Sequence, residues 1–261
     1  MSNEADVSVK VEGAIAVVTI ERPEVRNALR HATLQGLRDA ITKIGADASI
    51  KAGIVTGAGG LAFSAGADLK ALHQANPDRI AAEGFMRVGQ ATCAAIWGSS
   101  KPIVAAIEGY ALGGGFEVAL SCHQRIATPE SLFGLPEIKL RHLPAWGGVS
   151  RLVALTRART LFLMALSGEL INARQGYEDG FVDELSEPGE LLGKAKSLAT
   201  RLSVGEPEIM ARGLEILRHS LDVEKPAVLA MERWAAGIDF DTDEHREQIN
   251  KFALKHSISK S

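Results

Sequence analysis

Residues 107–117 read I-E-G-Y-A-L-G-G-G-F-E, a glycine triplet set between an apolar run and an apolar helix. The run before it, Pro102 to Ile107, has the composition of a buried strand, and Phe116 to Leu120 starts a helix, so Gly113, Gly114 and Gly115 fall near a helix N-terminus. N–H groups there lack intrahelical acceptors, and glycines let a ligand come close to them. The helix dipole favours a negative oxygen at that end. Glu117 follows Gly114 by three residues, about one turn, which places a carboxylate beside the anion site. The same residues also fit a tight turn followed by a solvated acid that suits the dipole.

A second segment has the same design. Ala52 to Thr56 is a short apolar run, followed over residues 57–72 by G-A-G-G-L-A-F-S-A-G-A-D-L-K-A-L, again a small-residue turn leading into a helix start. Ala67 lies 12 residues past Val55, and Gly114 lies 10 past Val104. If the two strands are parallel neighbours, both turns leave the sheet at one edge and each presents backbone N–H groups. Two such donors aimed at one point make an oxyanion hole. Gly57-Ala58-Gly59-Gly60-Leu61-Ala62 also matches the dinucleotide pattern G-x-G-x-x-A. However, Phe63-Ser64-Ala65-Gly66 follows instead of a helix, and the region of the required acid, near Asp78, reads as helical.

The chain has 261 residues, 46% hydrophobic and 23% charged, enough for one large core and a smaller appendage. A formal charge of −3 gives no electrostatic case for nucleic acid or an anionic membrane surface, and neither partner is expected. Cys93 and Cys122 have no metal or redox spacing, and no metal site is expected. The start, M-S-N-E-A-D-V, lacks the basic and apolar regions of a signal peptide, and I-S-K-S at the end is not a peroxisomal address, so a cytoplasmic protein is expected.

In order along the chain, Val7 to Val11 and Ile15 to Ile20 predict a hairpin turning at Glu12-Gly13-Ala14. Leu34, Leu37, Ile41 and Ile44 keep helical spacing, and a further helix spans about Arg79 to Trp97. Arg125 to Thr128 reads as a short strand. The stretch S-L-F-G-L-P-E-I-K-L-R-H-L-P reads as an irregular loop whose fixed apolar content suits the wall of a site. Gly147 onward is helical to Gly168, Ile171-Asn172-Ala173 begins another short helix, and Val182 to Leu185 reads as a strand. From Glu187 the pattern is all helical, with helices near 191–202, 207–219, 226–237 and 243–255. The expected division is residues 1–203 and 204–261.

Five motifs together resemble the enoyl-CoA hydratase/isomerase (crotonase) family over nearly the whole chain. They are R-P-E-V-R-N-A-L at 22–29, F-S-A-G-A-D-L-K at 63–70, G-Y-A-L-G-G-G-F-E at 109–117, F-G-L-P-E at 133–137 and P-A-W-G-G at 144–148. The resemblance implies an α/β fold, a crotonase-type spiral of ββα units with a C-terminal helical oligomerisation domain, and a homotrimer or dimer of trimers. It implies that the N–H groups of Ala67 and Gly114 hold an acyl thioester oxygen. Glu117 and Glu137 match two glutamates that hold one water in the hydratases. Coenzyme A, part of the substrate and not a separate cofactor, is expected along Glu24, Val25 and Arg26 and along Ala65, Ala67, Asp68, Leu69 and Lys70. The segment R-E-Q-I-N-K-F-A-L-K resembles one that places Phe252 and Lys255 at the coenzyme.

The implied activity is addition of water to a 2,3-unsaturated acyl-CoA. Isomerisation, thioester hydrolysis and non-catalytic acyl-CoA binding are the alternatives. Three residues depart from the family pattern: His123 stands where Asp is common, Arg141 where Gly is usual, and Trp146 where the side chain is usually small. His123 reads as structural, and Trp146 either faces the acyl cavity or packs under the helix beginning at Gly147.

Overall fold

Val7–Glu12 (β1) and Ile15–Ile20 (β2) pair antiparallel, from Val7 opposite Ile20 to Glu12 opposite Ile15, which is the hairpin expected from the sequence. The computed structural model describes residues 5–75 and 79–222. Next to β2 run Ala52–Gly57 (β3), Ile103–Ile107 (β5), Gln124–Ala127 (β7) and Glu184–Leu185 (β10), each parallel to its neighbour, in a six-stranded sheet ordered β1-β2-β3-β5-β7-β10. β3 and β5 are therefore adjacent and parallel, as the two glycine segments require.

The two-residue period of a strand buries both faces of this sheet. Ile15, Val17, Ala52, Ile54, Val104, Ala106 and Ile126 point to one side, where Leu191–Leu202 (α8) covers them through Leu191, Ala195, Leu198 and Ala199. On the other side Ala16, Val18, Ile20, Val55, Ile103, Ala105 and Ile107 share a core with His31–Ala46 (α1) and Arg79–Trp97 (α3). Leu34, Leu37, Ile41 and Ile44 of α1 are all buried there, as their helical spacing predicts.

A second sheet differs from expectation. Ala62–Ser64 (β4), Tyr110–Leu112 (β6), Leu132–Gly134 (β8) and Ile171–Asn172 (β9) form it in the order β4-β6-β8-β9, where the sequence suggested turns, an irregular loop and a helix start. Strands of two or three residues are too short to show any period. Their effect on the architecture is large. Each long strand passes to a short one and then to helix: β3 to β4 to Leu69–Ala75 (α2) and α3, β5 to β6 to Gly114–Ser121 (α4), and β7 to β8 to a 3-10 turn at Pro136–Leu140. The result is a spiral of ββα units that delivers three helical N-termini beside one another.

Phe116 of α4, Phe133 of β8 and Phe181 form a buried triangle with ring centroids 5.3, 5.5 and 5.6 Å apart, fixing the start of α4 against the second sheet. Each aromatic pair contributes about 0.5–1.5 kcal/mol beyond its burial. Past the spiral come Gly148–Leu155 (α5), Ala158–Phe162 (α6) and a π-helical turn at Leu163–Ser167 ended by Gly168 at φ 64°. Ala173–Asp179 (α7) then starts with Asn172 capping the N–H of Gln175 at 2.9 Å.

The chain divides into two compact units, Met1–Val204 and Gly205–Ser261. Within the second, Pro207–Asp222 (α9) is described. The helices expected near 226–237 and 243–255, with Phe252 and Lys255, lie outside the described residues. Among the described residues no helix is long and apolar enough to cross a membrane, and no cluster of side chains is arranged to hold a metal ion.

Candidate active site

The first wall of the site is braced by the residues of R-P-E-V-R-N-A-L. Asn27 is fully buried in the left-handed region at φ 55°, and its amide donates to the carbonyls of Ala58 (2.9 Å) and Ala62 (2.7 Å). Arg22 donates to Asp68 Oδ2 at 2.9 Å, while Asp68 Oδ1 accepts from the N–H of Ala71 at the start of α2. Burial pushes the Asp68 carboxyl up, but the Ala71 N–H and the Arg22 guanidinium outweigh it and hold the carboxyl below its usual range. Ser64 Oγ accepts from the N–H of Gly66 at 3.1 Å and donates to Asn27 O at 2.8 Å. The N–H of Leu29 donates to the C=O of Gly66, and the N–H of Asp68 donates to the C=O of Leu29. In a parallel bridge this leaves the N–H of Ala67 pointing away from Leu29.

The second wall is the start of α4. Gly113 caps the helix at φ 51°, a conformation that favours glycine, so Gly114 is the first helical residue and its N–H has no intrahelical acceptor. The two walls touch: a Cβ on Gly66 would lie 3.2 Å from the Gly114 nitrogen. One turn into α4, Glu117 is 2% exposed, and its Oε1 accepts from the N–H groups of Trp146 (2.8 Å) and Gly148 (2.7 Å). Burial raises the Glu117 pKa above the ordinary glutamate value, against the pull of those two N–H groups and of Arg151.

Glu137 comes from the 3-10 turn that follows β8. A Cβ on Gly113 would fall 2.7 Å from its Oε1, and its Oε2 is buried with no hydrogen-bond partner among the described residues. Burial, with the Glu117 charge as a smaller contribution, pushes its pKa up to about 7. The two carboxyl groups therefore differ in kind: one holds two backbone donors at Oε1, the other keeps a buried Oε2 without a partner among the described residues and is readily protonated.

Ala65, Ala67, Gly113, Gly114, Glu117 and Glu137 line one cavity of about 120 Å³. The structure thus brings together the four residues singled out for chemistry. Of the other sequence candidates, Leu69 also lines the cavity, whereas Glu24, Val25, Arg26, Asp68 and Lys70 do not. Arg26 and Lys70 are exposed, with the Arg26 guanidinium 6.0 Å from the Tyr110 ring centroid, and the Asp68 carboxylate is engaged by Arg22 and α2. Met86, Leu112, Leu140 and Leu143 add apolar wall and His142 a polar side chain, and none of the five was singled out. The apolar content of the 131–144 loop hinted at Leu140 and Leu143; nothing in the helical pattern of α3 marked Met86.

The three departures each have a place. His123 accepts the N–H of Ile103 at Nδ1 (2.9 Å) and stacks on Trp97 with centroids 5.9 Å apart, which is a structural role. Arg141 keeps the left-handed conformation expected of glycine, at φ 62°. Trp146 both lines the cavity and packs: it is 3% exposed and meets Phe85 edge to face at 5.7 Å, and a Cβ on either Gly89 or Gly114 would come within 2.2 Å of its ring. Cys93 and Cys122 are buried, their thiols pushed up to about 12 by burial, and take no part in the site.

Comparison with known proteins agrees with this geometry. Residues 10–259 match the enoyl-CoA hydratase/isomerase family. The short-chain-enoyl-CoA hydratase of Clostridium acetobutylicum is 34% identical over 256 residues, covering 97% of this chain and 96% of that protein. The crotonyl-CoA hydratase of Syntrophomonas wolfei is 32% identical over 256 residues, covering 97% of each chain. Among solved structures, an enoyl-CoA hydratase from Bacillus anthracis superposes with a TM-score of 0.89 at 29% identity over 96% of both chains. Pseudomonas aeruginosa DspI does so with 0.90 at 31% identity, over 98% of this chain and 96% of that one. The chain belongs to the enoyl-CoA hydratase/isomerase family and has the crotonase fold.

Proposed function

We propose that the protein is an enoyl-CoA hydratase, adding water across the 2,3 double bond of an acyl-CoA thioester. The observation that carries this reading is the pair of buried carboxyl groups in one cavity with the Ala67 and Gly114 amides. The thioester oxygen binds between those two N–H groups, which stabilise the enolate formed when the water oxygen attacks C3; each such donor is worth on the order of 3 kcal/mol. Glu117 takes a proton from the water and Glu137 gives one to C2. The sum is one water added, hydroxyl at C3 and hydrogen at C2, and proton exchange between the two carboxyl groups and solvent resets them.

The test is spectroscopic. With crotonyl-CoA the conjugated-thioester absorbance falls while no free thiol is released; thiol release would instead make the protein a thioester hydrolase. The pH profile carries a sign. Glu117 works ionised, so kcat/KM rises as pH passes its raised pKa, and Glu137 works protonated, so kcat/KM falls as pH rises through about 7. A profile flat from pH 6 to 9 would remove Glu137 as the acid.

Trp146 sets the size of the acyl group in this reading. Its ring occupies the volume of several methylenes in the cavity wall, and each methylene left unburied forfeits about 0.8 kcal/mol. Trp146→Ala is expected to raise kcat/KM for longer enoyl-CoAs relative to crotonyl-CoA. Because the ring also packs against Phe85, Gly89 and Gly114, the variant should lose about 3–5 kcal/mol of stability in urea denaturation. An unchanged chain-length profile would show that the ring serves packing alone.

A further inference from the structure

Neither Gln90 nor Arg151 lines the cavity, yet each ends on a carbonyl of the loop that grips Glu117. Gln90, on α3, donates from Nε2 to the C=O of Ala145 at 2.7 Å. The N–H of that same peptide unit belongs to Trp146 and donates to Glu117 Oε1 at 2.8 Å. Arg151, on α5, donates from Nη1 to the C=O of Gly147 at 3.0 Å, and the N–H of that peptide unit, on Gly148, donates to Glu117 Oε1 at 2.7 Å. The peptide between them is tied as well, since Arg151 Nη1 also reaches the C=O of Trp146 at 3.1 Å.

We propose that Gln90 and Arg151 are positioning residues that hold the Glu117 carboxylate from outside the cavity, each acting through one peptide unit of the Ala145–Gly148 loop. A donor on a peptide carbonyl polarises the N–H at the other end of the unit and strengthens the bond that N–H makes. A guanidinium does so more than a neutral amide. The loop needs this bracing. It lies outside both sheets, and it turns at Gly147 with φ 97°. Both of these N–H donors are aimed at Oε1, so the two braced peptide units act on the same oxygen.

The charged and titratable groups around Glu117 are Glu137 from the turn after β8, Arg151 from α5, Cys93 from α3 and His142 on the cavity wall. Of these, Arg151 alone is a fixed cation, and it is tied directly to the gripping loop. Removing it, or loosening the two N–H donors, disfavours the ionised carboxylate and moves its titration to higher pH.

The inference rests on Glu117 being the base of the proposed hydration, so its test reads Glu117 directly. In the full-length enzyme, ¹³C-labelled glutamate carboxyl groups are titrated by NMR, the Glu117 signal being assigned by its loss in Glu117→Gln, alongside kcat, KM and the pH profile with crotonyl-CoA. Arg151→Met is expected to lower kcat by about 10- to 100-fold and Gln90→Leu by about 3- to 10-fold, with KM within about twofold of wild type. In both, the Glu117 midpoint and the acid limb of kcat/KM move to higher pH, and Arg151→Lys restores part of both. An unmoved Glu117 midpoint in both variants, even with a lower melting temperature, overturns the proposal and leaves a structural role. If Arg151→Met does not fold, Gln90→Leu at the solvent-exposed end decides alone. A protein that fails to hydrate crotonyl-CoA but shows the shifted midpoints would refute the hydratase reading and keep this one.

Discussion

Replacing either Glu117 or Glu137 with glutamine lowers kcat by at least about 100-fold, while binding of the CoA ester survives. The amide keeps the volume of each side chain and loses the ability to take or give a proton. At position 117 the new side chain still presents its oxygen to the N–H groups of Trp146 and Gly148, so the loop keeps its shape. At position 137 the consequence extends to stability. The Glu137 carboxyl titrates in the folded protein at about 7 against an ordinary value of 4.5. Its folded pKa is raised, so its contribution is fully present below pH 4.5 and is lost as pH rises through 7. Glu137→Gln removes that dependence, and its melting temperature should fall less than that of wild type between pH 5 and 8. Turnover within tenfold of wild type by either variant would end the assignment of two carboxyl groups to the chemistry.

The second large effect is expected at Gly114, where only the backbone N–H matters. Proline at the first position of a helix fits the backbone, and it carries no N–H for the thioester oxygen. A direct Gly114→Pro exchange is confounded, since any Cβ there would lie 2.2 Å from the Trp146 ring. The comparison is therefore made with Trp146→Ala present to clear the space. In that background Gly114→Ala retains the donor and Gly114→Pro loses it, so turnover should differ by at least about 100-fold at similar thermal stability. Equal activity of the two double variants would show that the Gly114 amide takes no part in stabilising the enolate.

The parts of the molecule written in long periods were legible from the residues: the β1–β2 hairpin, the buried stripe of α1 and the length of α3; the parallel pairing of β3 with β5 entered only as a condition, which the structure meets. The second sheet was not, because Ala62–Ser64, Tyr110–Leu112 and Leu132–Gly134 are three residues each and resemble the turns around them. At the site, the glycine triplet and Glu117 announced themselves by local chemistry, whereas Glu137 became a candidate only through the family resemblance. What sequence could not supply was orientation. Asp68 looked available to a ligand, and folding commits it to Arg22 and to the first turn of α2. Trp146 presented a choice between cavity and packing, and a ring large enough to touch Gly89, Gly114 and Phe85 while bordering the cavity does both.

The covering of the large sheet by α8 bears on how the chain is made. A ribosome releases the hairpin, the spiral and every element that borders the cavity well before residues 191–202 emerge. Until then Ile15, Val17, Ile54, Val104 and Ile126 form an open apolar face with nothing on it. A nascent chain stalled short of α8 therefore has its chemical machinery synthesised and this apolar face bare, the state in which incomplete chains aggregate or engage chaperones. The last helix of the first unit thus closes that unit's exposed sheet face while Gly205–Ser261 is still to be made, and a few seconds of translation at about 5–20 residues per second separate the bare face from the covered one.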